Sequence, residues 1–351
     1  MARMSVFIEN EEYKYFTNVS VALKYDSVAS TFSISSNFIG NESQRETLKP
    51  LTYKKVQIYV GETIDANLIL TGIILVHEFT SKSEPDGVKI SGYSLPGVLA
   101  DCEIPTEVYP LQDNNKTLKE ITQKIIKPFG LKLFVNQIAK FDANKVIEQI
   151  AANETENAAQ YITKMASQFN IIVGHSRRGK LLFTRVRANE PPLSNYVEGN
   201  GDYQAVSMKV NGQAMHNRYT VLRQPSFTDA TDANPEESVN NSLVPIFRPK
   251  IKKQTVGDTD ATPNAAKSAR MRGLAAGVTF TIEVTTLLYQ DGSIIKPNRI
   301  VTLTAPSIYI KDKISIFVKD VTLNQTPTGE SAILTCVLKE ALTGGPAQNI
   351  F

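Results

Sequence analysis

Tryptophan is absent from this 351-residue chain, cysteine occurs twice and histidine three times. Cys102 and Cys336 lie far apart inside apolar, strand-like sequence. They read as buried, reduced thiols rather than a disulfide framework. His77, His175 and His216 each stand alone, without a second ligand at metal-site spacing, so no metal is expected. No apolar run approaches the roughly 18 residues of a membrane helix. Glu9, Glu11 and Glu12 fall where an export signal would carry its apolar stretch, which argues against a signal peptide. Excess charge is lacking as well: 38 basic residues face 35 acidic ones, for a net charge of +3. That balance gives no argument for a partner held by bulk electrostatics, such as nucleic acid or a membrane surface. The GxSxG elbow, the HExxH helix and paired CxxC motifs are all missing. Catalytic, cofactor-binding and metal-ligating residues are therefore assigned to none, and no small-molecule substrate is expected.

What is present is enough chain for two or three domains with a large core. Residues 1–100 read as β. Val19, Val21 and Leu23 alternate with small or polar residues, as do Phe32 and Ile34, the period of a half-buried strand. Val56–Val60 follows. Then Leu68–Phe79 runs into a polar turn ending Pro85-Asp86-Gly87, and Val88–Tyr93 returns, which is a hairpin signal.

Composition changes at residue 101. Thr117 with Glu120 three residues on forms a capping box, and Leu118, Ile121, Ile125 and Ile126 give one apolar face of a helix that stops before Pro128. A short strand is expected at 131–135 and a second helix near 155–168. Strands at 170–173 and 181–186 flank a tight turn. Residues 101–188 thus read as an inserted α/β domain.

From Ala205 the β character returns and forms a third domain, 189–351. Residues 224–265 are polar and contain five prolines, which predicts a long surface loop. Its charge is segregated, acidic from Asp229 to Glu237 and basic from Arg248 to Lys253. A helix is expected from Pro263 to Ala276, then strands to Leu338. The strand and hairpin at 300–338 resemble those at 56–93. They are either two copies of one barrel or curled sheet, or two unrelated hairpins.

Gly174-His175-Ser176-Arg177-Arg178-Gly179-Lys180 has the GxxxxGK spacing of a phosphate loop. However, Leu181 replaces the required Ser or Thr, and a strand follows where a helix is needed. The segment reads as a basic turn. Arg177, Arg178 and Lys180, with Arg248, Lys250, Lys252 and Lys253, are the candidate interface residues.

Four ordered stretches carry a family resemblance. They are Val56-Gln57-Ile58-Tyr59-Val60-Gly61 with Leu70-Thr71-Gly72-Ile73-Ile74, and Val88-Lys89-Ile90-Ser91-Gly92-Tyr93-Ser94 leading to Leu99-Ala100-Asp101-Cys102. Next come the helix at 155–168 with the turn at Gly179 and Lys180–Arg185, and Asp291-Gly292-Ser293-Ile294-Ile295-Lys296-Pro297-Asn298. Together they resemble the central baseplate hub of contractile-tailed bacteriophages, especially the Mu-type hub. That architecture is shared with the T-even hub and the N-terminal part of type VI secretion spike proteins. The aromatic residues often found near the last stretch are missing, and the 224–265 loop has no clear counterpart.

The resemblance implies a mainly β fold with two tube-like β-barrel domains per chain and a small inserted α/β domain. It implies a non-enzymatic homotrimer, a pseudo-sixfold ring joining a sixfold tail tube to a threefold central spike. Neighbouring baseplate proteins would bind it, and phage DNA would pass without specific binding. Location in the virion's tail baseplate, after assembly in the bacterial host cytoplasm, follows from the same resemblance. Two variants stay open. A component of a type VI-like or phage-tail-like injection machine would continue into a β-helix, whereas this chain stops after its last strand. A hub with cell-wall-degrading activity would carry a further domain, and no segment is left over for one.

Overall fold

The computed structural model describes residues 3–38, 40–81, 87–110, 112–151, 156–187, 189–222, 236–253, 262–343 and 350. The first unit holds β1 (Met4–Ile8), β2 (Glu11–Glu12), β3 (Phe16–Lys24), β4 (Thr31–Asn37), α1 (Glu42–Thr47), β5 (Lys55–Val60), β6 (Leu68–Thr80) and β7 (Gly87–Ser94). The alternation read from sequence is the one that folds: Val19, Val21, Leu23, Phe32 and Ile34 are all buried.

The insertion follows, with α2 (Val98–Asp101), β8 (Gln112–Thr117), α3 (Leu118–Ile126), β9 (Leu133–Val135), α4 (Lys140–Ala143), β10 (Val146–Ala151), α5 (Ala158–Gln168), β11 (Ile172–His175) and β12 (Leu181–Thr184). Both halves of the capping box form at α3. The Glu120 carboxylate accepts from the Thr117 N–H (2.8 Å), and Thr117 Oγ1 accepts from the Glu120 N–H (3.2 Å). Ala158, Ala159, Ile162 and Ala166 point inward from α5, as their spacing predicts. These elements build a core of their own around Phe183, Ile121 and Met165. Val28 is the one member contributed from the first unit.

The remainder comprises β13 (Asn195–Val197), β14 (Ala205–Val210), β15 (Arg218–Leu222), β16 (Glu236–Asn240), β17 (Pro249–Lys253), α6 (Thr262–Gly277), β18 (Val278–Val284), β19 (Arg299–Ala305), β20 (Ile310–Thr326), β21 (Gly329–Leu338) and α7 (Glu340–Thr343).

The expected 224–265 loop is corrected in part. Residues 236–240 and 249–253 are strands on either side of β15, β16 antiparallel and β17 parallel. Their pairing comes from β15, outside the segment, so no local apolar period announces them. Cys336 is buried and Cys102 half-buried, and both are free thiols.

The two β units share a strand order. In the first it is β3-β4-β7-β6-β5, in the second β14-β18-β21-β20-β19, each in the same sequence order along the chain. The correspondence reaches single residues. Ile74 pairs Gly92 and Val76 pairs Ser91, so Leu75 bulges; Val318 pairs Cys336 and Asp320 pairs Thr335, so Lys319 bulges. Such a bulge bends and twists its strand. Gly92 faces Phe32 as Cys336 faces Phe280. Thr31-Phe32-Ser33-Ile34 therefore corresponds to Thr279-Phe280-Thr281-Ile282, and Val19-Ser20-Val21 to Val206-Ser207-Met208. The likeness ends at the outermost strands, since β1 runs antiparallel to β5 and β13 parallel to β19.

Neither unit closes into a barrel through strand pairing among the described residues. All these strands lie in one 13-stranded sheet. The joint is β20, whose outer half stays paired with β21 and on its other edge exchanges β19 for β3, antiparallel, from Asp320 opposite Lys24 to Gln325 opposite Val19. One apolar core runs under both units.

Candidate functional site

The GxxxxGK segment is a turn between β11 and β12. The Ser176 N–H donates to the Lys180 carbonyl (2.8 Å), and Gly179 holds a positive φ of 73° that glycine adopts without strain. The turn rests on the first β unit. Thr71 Oγ1 donates to the Arg177 carbonyl (2.7 Å), and a Cβ on Gly179 would meet the Leu95 side chain at 2.6 Å. The Arg177 and Arg178 guanidiniums converge on the Asp65 carboxylate at 2.7 and 2.8 Å. The hydrogen bond from Arg178 holds that carboxyl below its usual range. Both arginines thus tie the insertion to the first unit. Lys180 is half-buried, and its N–H donates to Ser176 Oγ.

His175 lies behind the turn. Its Nε2 accepts from Ser30 Oγ (2.5 Å), while Ser30 Oγ itself accepts from the Lys24 N–H (2.9 Å). Burial lowers the imidazole pKa to about 4. The folded state therefore binds fewer protons than the unfolded state between about pH 4 and pH 6.5, and stability falls as pH drops through that window. A loss of about 1–2 kcal/mol is expected there, allowing for the partial exposure of the residue. Urea titrations at pH 7 and pH 4.5 measure it, and His175→Gln should flatten the difference.

The second group of predicted residues sits elsewhere. Arg248, Lys250, Lys252 and Lys253 enter or form β17, against β15 and beside α6. Arg248 Nη2 donates to the Gln213 carbonyl (3.2 Å). Lys250 is exposed. Burial and the neighbouring charges of Arg272 and Lys250 lower the Lys252 pKa, so this face carries crowded positive charge. The side chain of Lys253 lies outside the described residues. Among the described residues, no hydrogen bond or ion pair joins this group to Arg177 and Arg178. α6 backs the small sheet closely: a Cβ on Gly273 would overlap the Tyr219 hydroxyl at 1.9 Å.

Sequence reasoning missed the partner Asp65 and the apolar residues beside the cations. Phe247 is 78% exposed, and Ile246 and Ile251 are also exposed. The alternation Lys250-Ile251-Lys252 was the available signal. Among the described residues, no group of three His, Cys, Asp or Glu is placed to hold a metal ion. Burial pushes the Cys336 thiol well above its usual range, against the thiolate a nucleophile needs. The surface therefore offers contact regions: a basic turn already engaged within the chain, the strand β17 with cationic side chains on one side and Ile251 exposed on the other, and, among the described residues, open sheet edges.

The fold is that of phage tail proteins. The 43 kDa tail protein of prophage MuSo2 from Shewanella oneidensis superposes with a TM-score of 0.80 at 16% identity, covering 97% of this chain and 100% of that one. A component of the type VI secretion system of E. coli, itself described as similar to T4 tail proteins gp27 and gp5, superposes with a TM-score of 0.56 at 9% identity. That match covers 99% of this chain and 78% of the other. At the level of sequence, residues 96–185 match the family described as "Baseplate hub protein gp44-like, second domain". Over 319 residues the chain is 22% identical to baseplate hub protein gp44 of Escherichia phage Mu, covering 88% of this chain and 80% of that protein. The resemblance to the Mu-type baseplate hub drawn from the four ordered stretches therefore holds: the chain is similar to the Mu hub along most of its length, and residues 96–185 match the second domain of the gp44-like hubs.

Proposed function

We propose that the chain is the structural hub of a contractile phage tail baseplate. Three copies form a ring of six similar β units, matching a sixfold tail tube on one face and a threefold central spike on the other. The observation that carries this reading is the residue-level doubling of the β unit, because two like units per chain reconcile three subunits with six positions. Each unit is a tube-like domain that completes its curvature in the ring, with the insertion as a separate domain between them. Phage DNA passes through the ring without specific binding. The large contact surfaces of assembly supply the binding energy, and no reaction is involved. The cationic–apolar region around Phe247 and Lys250 meets a neighbouring baseplate protein. The ring assembles in the bacterial host cytoplasm and works in the virion.

Light scattering across a dilution series tests the reading. The expected result is a species of three 38.7 kDa chains, formed alone or on addition of the cognate spike. A monomer at every concentration, with and without the spike, would overturn it.

A further inference from the structure

The doubling leaves one strand joint made and its counterpart open. The outer half of β20 pairs with β3 inside the chain. By the residue correspondence above, the counterpart of outer β20 is outer β6, from Val76 to Thr80, and the counterpart of β3 is β14. Beyond Ile74, outer β6 pairs only with β7 among the described residues. Among the described residues β14 likewise pairs only with β18. Both are open edges within one chain.

The side chains on these edges are those of an uncovered joint. In the made joint Val321 and Leu323 are 1% and 0% exposed, and Val21 opposite is 0% exposed. At the corresponding open positions His77 and Met208 are half-buried and Phe79 is 44% exposed, and Val210, the counterpart of the 5% exposed Leu23, is 47% exposed. Apolar residues on an open strand edge invite another strand.

We propose that outer β6 of one copy adds antiparallel to β14 of the next, in the register of the internal β20–β3 joint. Transferring that register sets Glu78 opposite Lys209, Phe79 opposite Met208 and His77 opposite Val210. It pairs a carboxylate with an ammonium and places apolar groups on the side where Leu323 meets Val21. It also puts Thr80 against Ser207, where the internal joint has Ser20 Oγ donating to Asn324 Oδ1 at 2.8 Å. None of these pairs sets like charges together, although nothing within one chain requires them to match. The contact is head-to-tail, so repetition closes a ring. Internal and intermolecular joints then alternate around it. The inference rests on the ring reading and specifies the bond that closes the ring.

The test is cross-linking of the full chain in a Cys102→Ser background. Directly opposed residues on antiparallel strands lie within disulfide reach. Glu78→Cys with Lys209→Cys should therefore give, on mild oxidation, a covalent species of three chains that reductant dissolves. Thr80→Cys with Asn211→Cys is four residues out of register, about 13 Å apart, and should stay unlinked. Glu78, Thr80 and Lys209 are exposed and Asn211 is half-buried, and the reduced variants should keep the parent's thermal melt. A second arm reverses charge. Glu78→Lys should raise the concentration needed for assembly several-fold, and Glu78→Lys with Lys209→Glu should restore it. If the parent forms the trimer while the in-register pair fails to link and the charge swap restores nothing, the joint is wrong and the ring stands. A parent that is monomeric throughout, with no cross-link in either pair, overturns ring and joint together.

Discussion

Gly92→Ala should lose roughly 3 kcal/mol or more of stability, enough to drive much of the expressed chain into the insoluble fraction. Gly92 lies in β7 next to the bulge at Leu75. A Cβ built there would stand 1.9 Å from the Ile73 carbonyl oxygen and 3.0 Å from the Phe32 ring. The first contact is with backbone, so rotation of a side chain cannot relieve it. β6 must shift away, breaking the ladder that holds the long hairpin to β5. The second unit supplies the control. Cys336 occupies the equivalent place, fully buried, so that bulge is open enough for a side chain. Cys336→Ala should cost only about 1–2 kcal/mol, the price of a small cavity. Urea denaturation of both variants measures the contrast. Equal losses would mean that the two bulges are equally tolerant and that Gly92 is placed there for another reason.

This pair of positions also shows what the sequence could convey. Gly72 and Gly92 stood out as motif residues, but the Phe32 ring that packs beside both comes from a different strand. Local signals were legible where the cause was local. The Thr117–Glu120 box set the start of α3, and Gly179 marked the turn that a phosphate loop would have replaced by a helix. The hairpins could be read because each strand alternates and ends at a polar turn. The doubling was legible only in outline, because the bulges at Leu75 and Lys319 flip the alternation midway along β6 and β20. A plain period-2 reading loses the register there.

Long-range partners carried no local mark. The Asp65 carboxylate that engages Arg177 and Arg178 lies on the far side of the insertion boundary, so the basic turn read as a candidate interface with no partner in the chain. β16 and β17 read as loop because β15 supplies their pairing and α6 their backing. Two closed barrels were expected from the family resemblance. Among the described residues the outer strands stay open and strand pairing closes neither unit, an arrangement that no local period announces.

Leu323→Ala and Phe79→Ala, one substitution at matching places in the two units, should separate folding from assembly. Leu323 lies opposite Val21 in the internal joint and is fully buried. Its truncation should cost about 2–4 kcal/mol in the isolated chain, as transfer and cavity costs add. Phe79 is partly exposed and touches Phe38 edge-on, with ring centroids 5.3 Å apart. Its truncation should cost under about 1 kcal/mol in the isolated chain, with the main loss appearing in association between chains. Urea titration at protein concentrations below assembly measures the first difference, and the concentration dependence of light scattering measures the second. If Phe79→Ala destabilises the isolated chain as much as Leu323→Ala does, then outer β6 is already covered within one chain. The equivalence between the made joint and the open edge would fail with it. If the two effects divide as expected, the same strand pairing holds the chain together in one unit and holds chains to each other in the next.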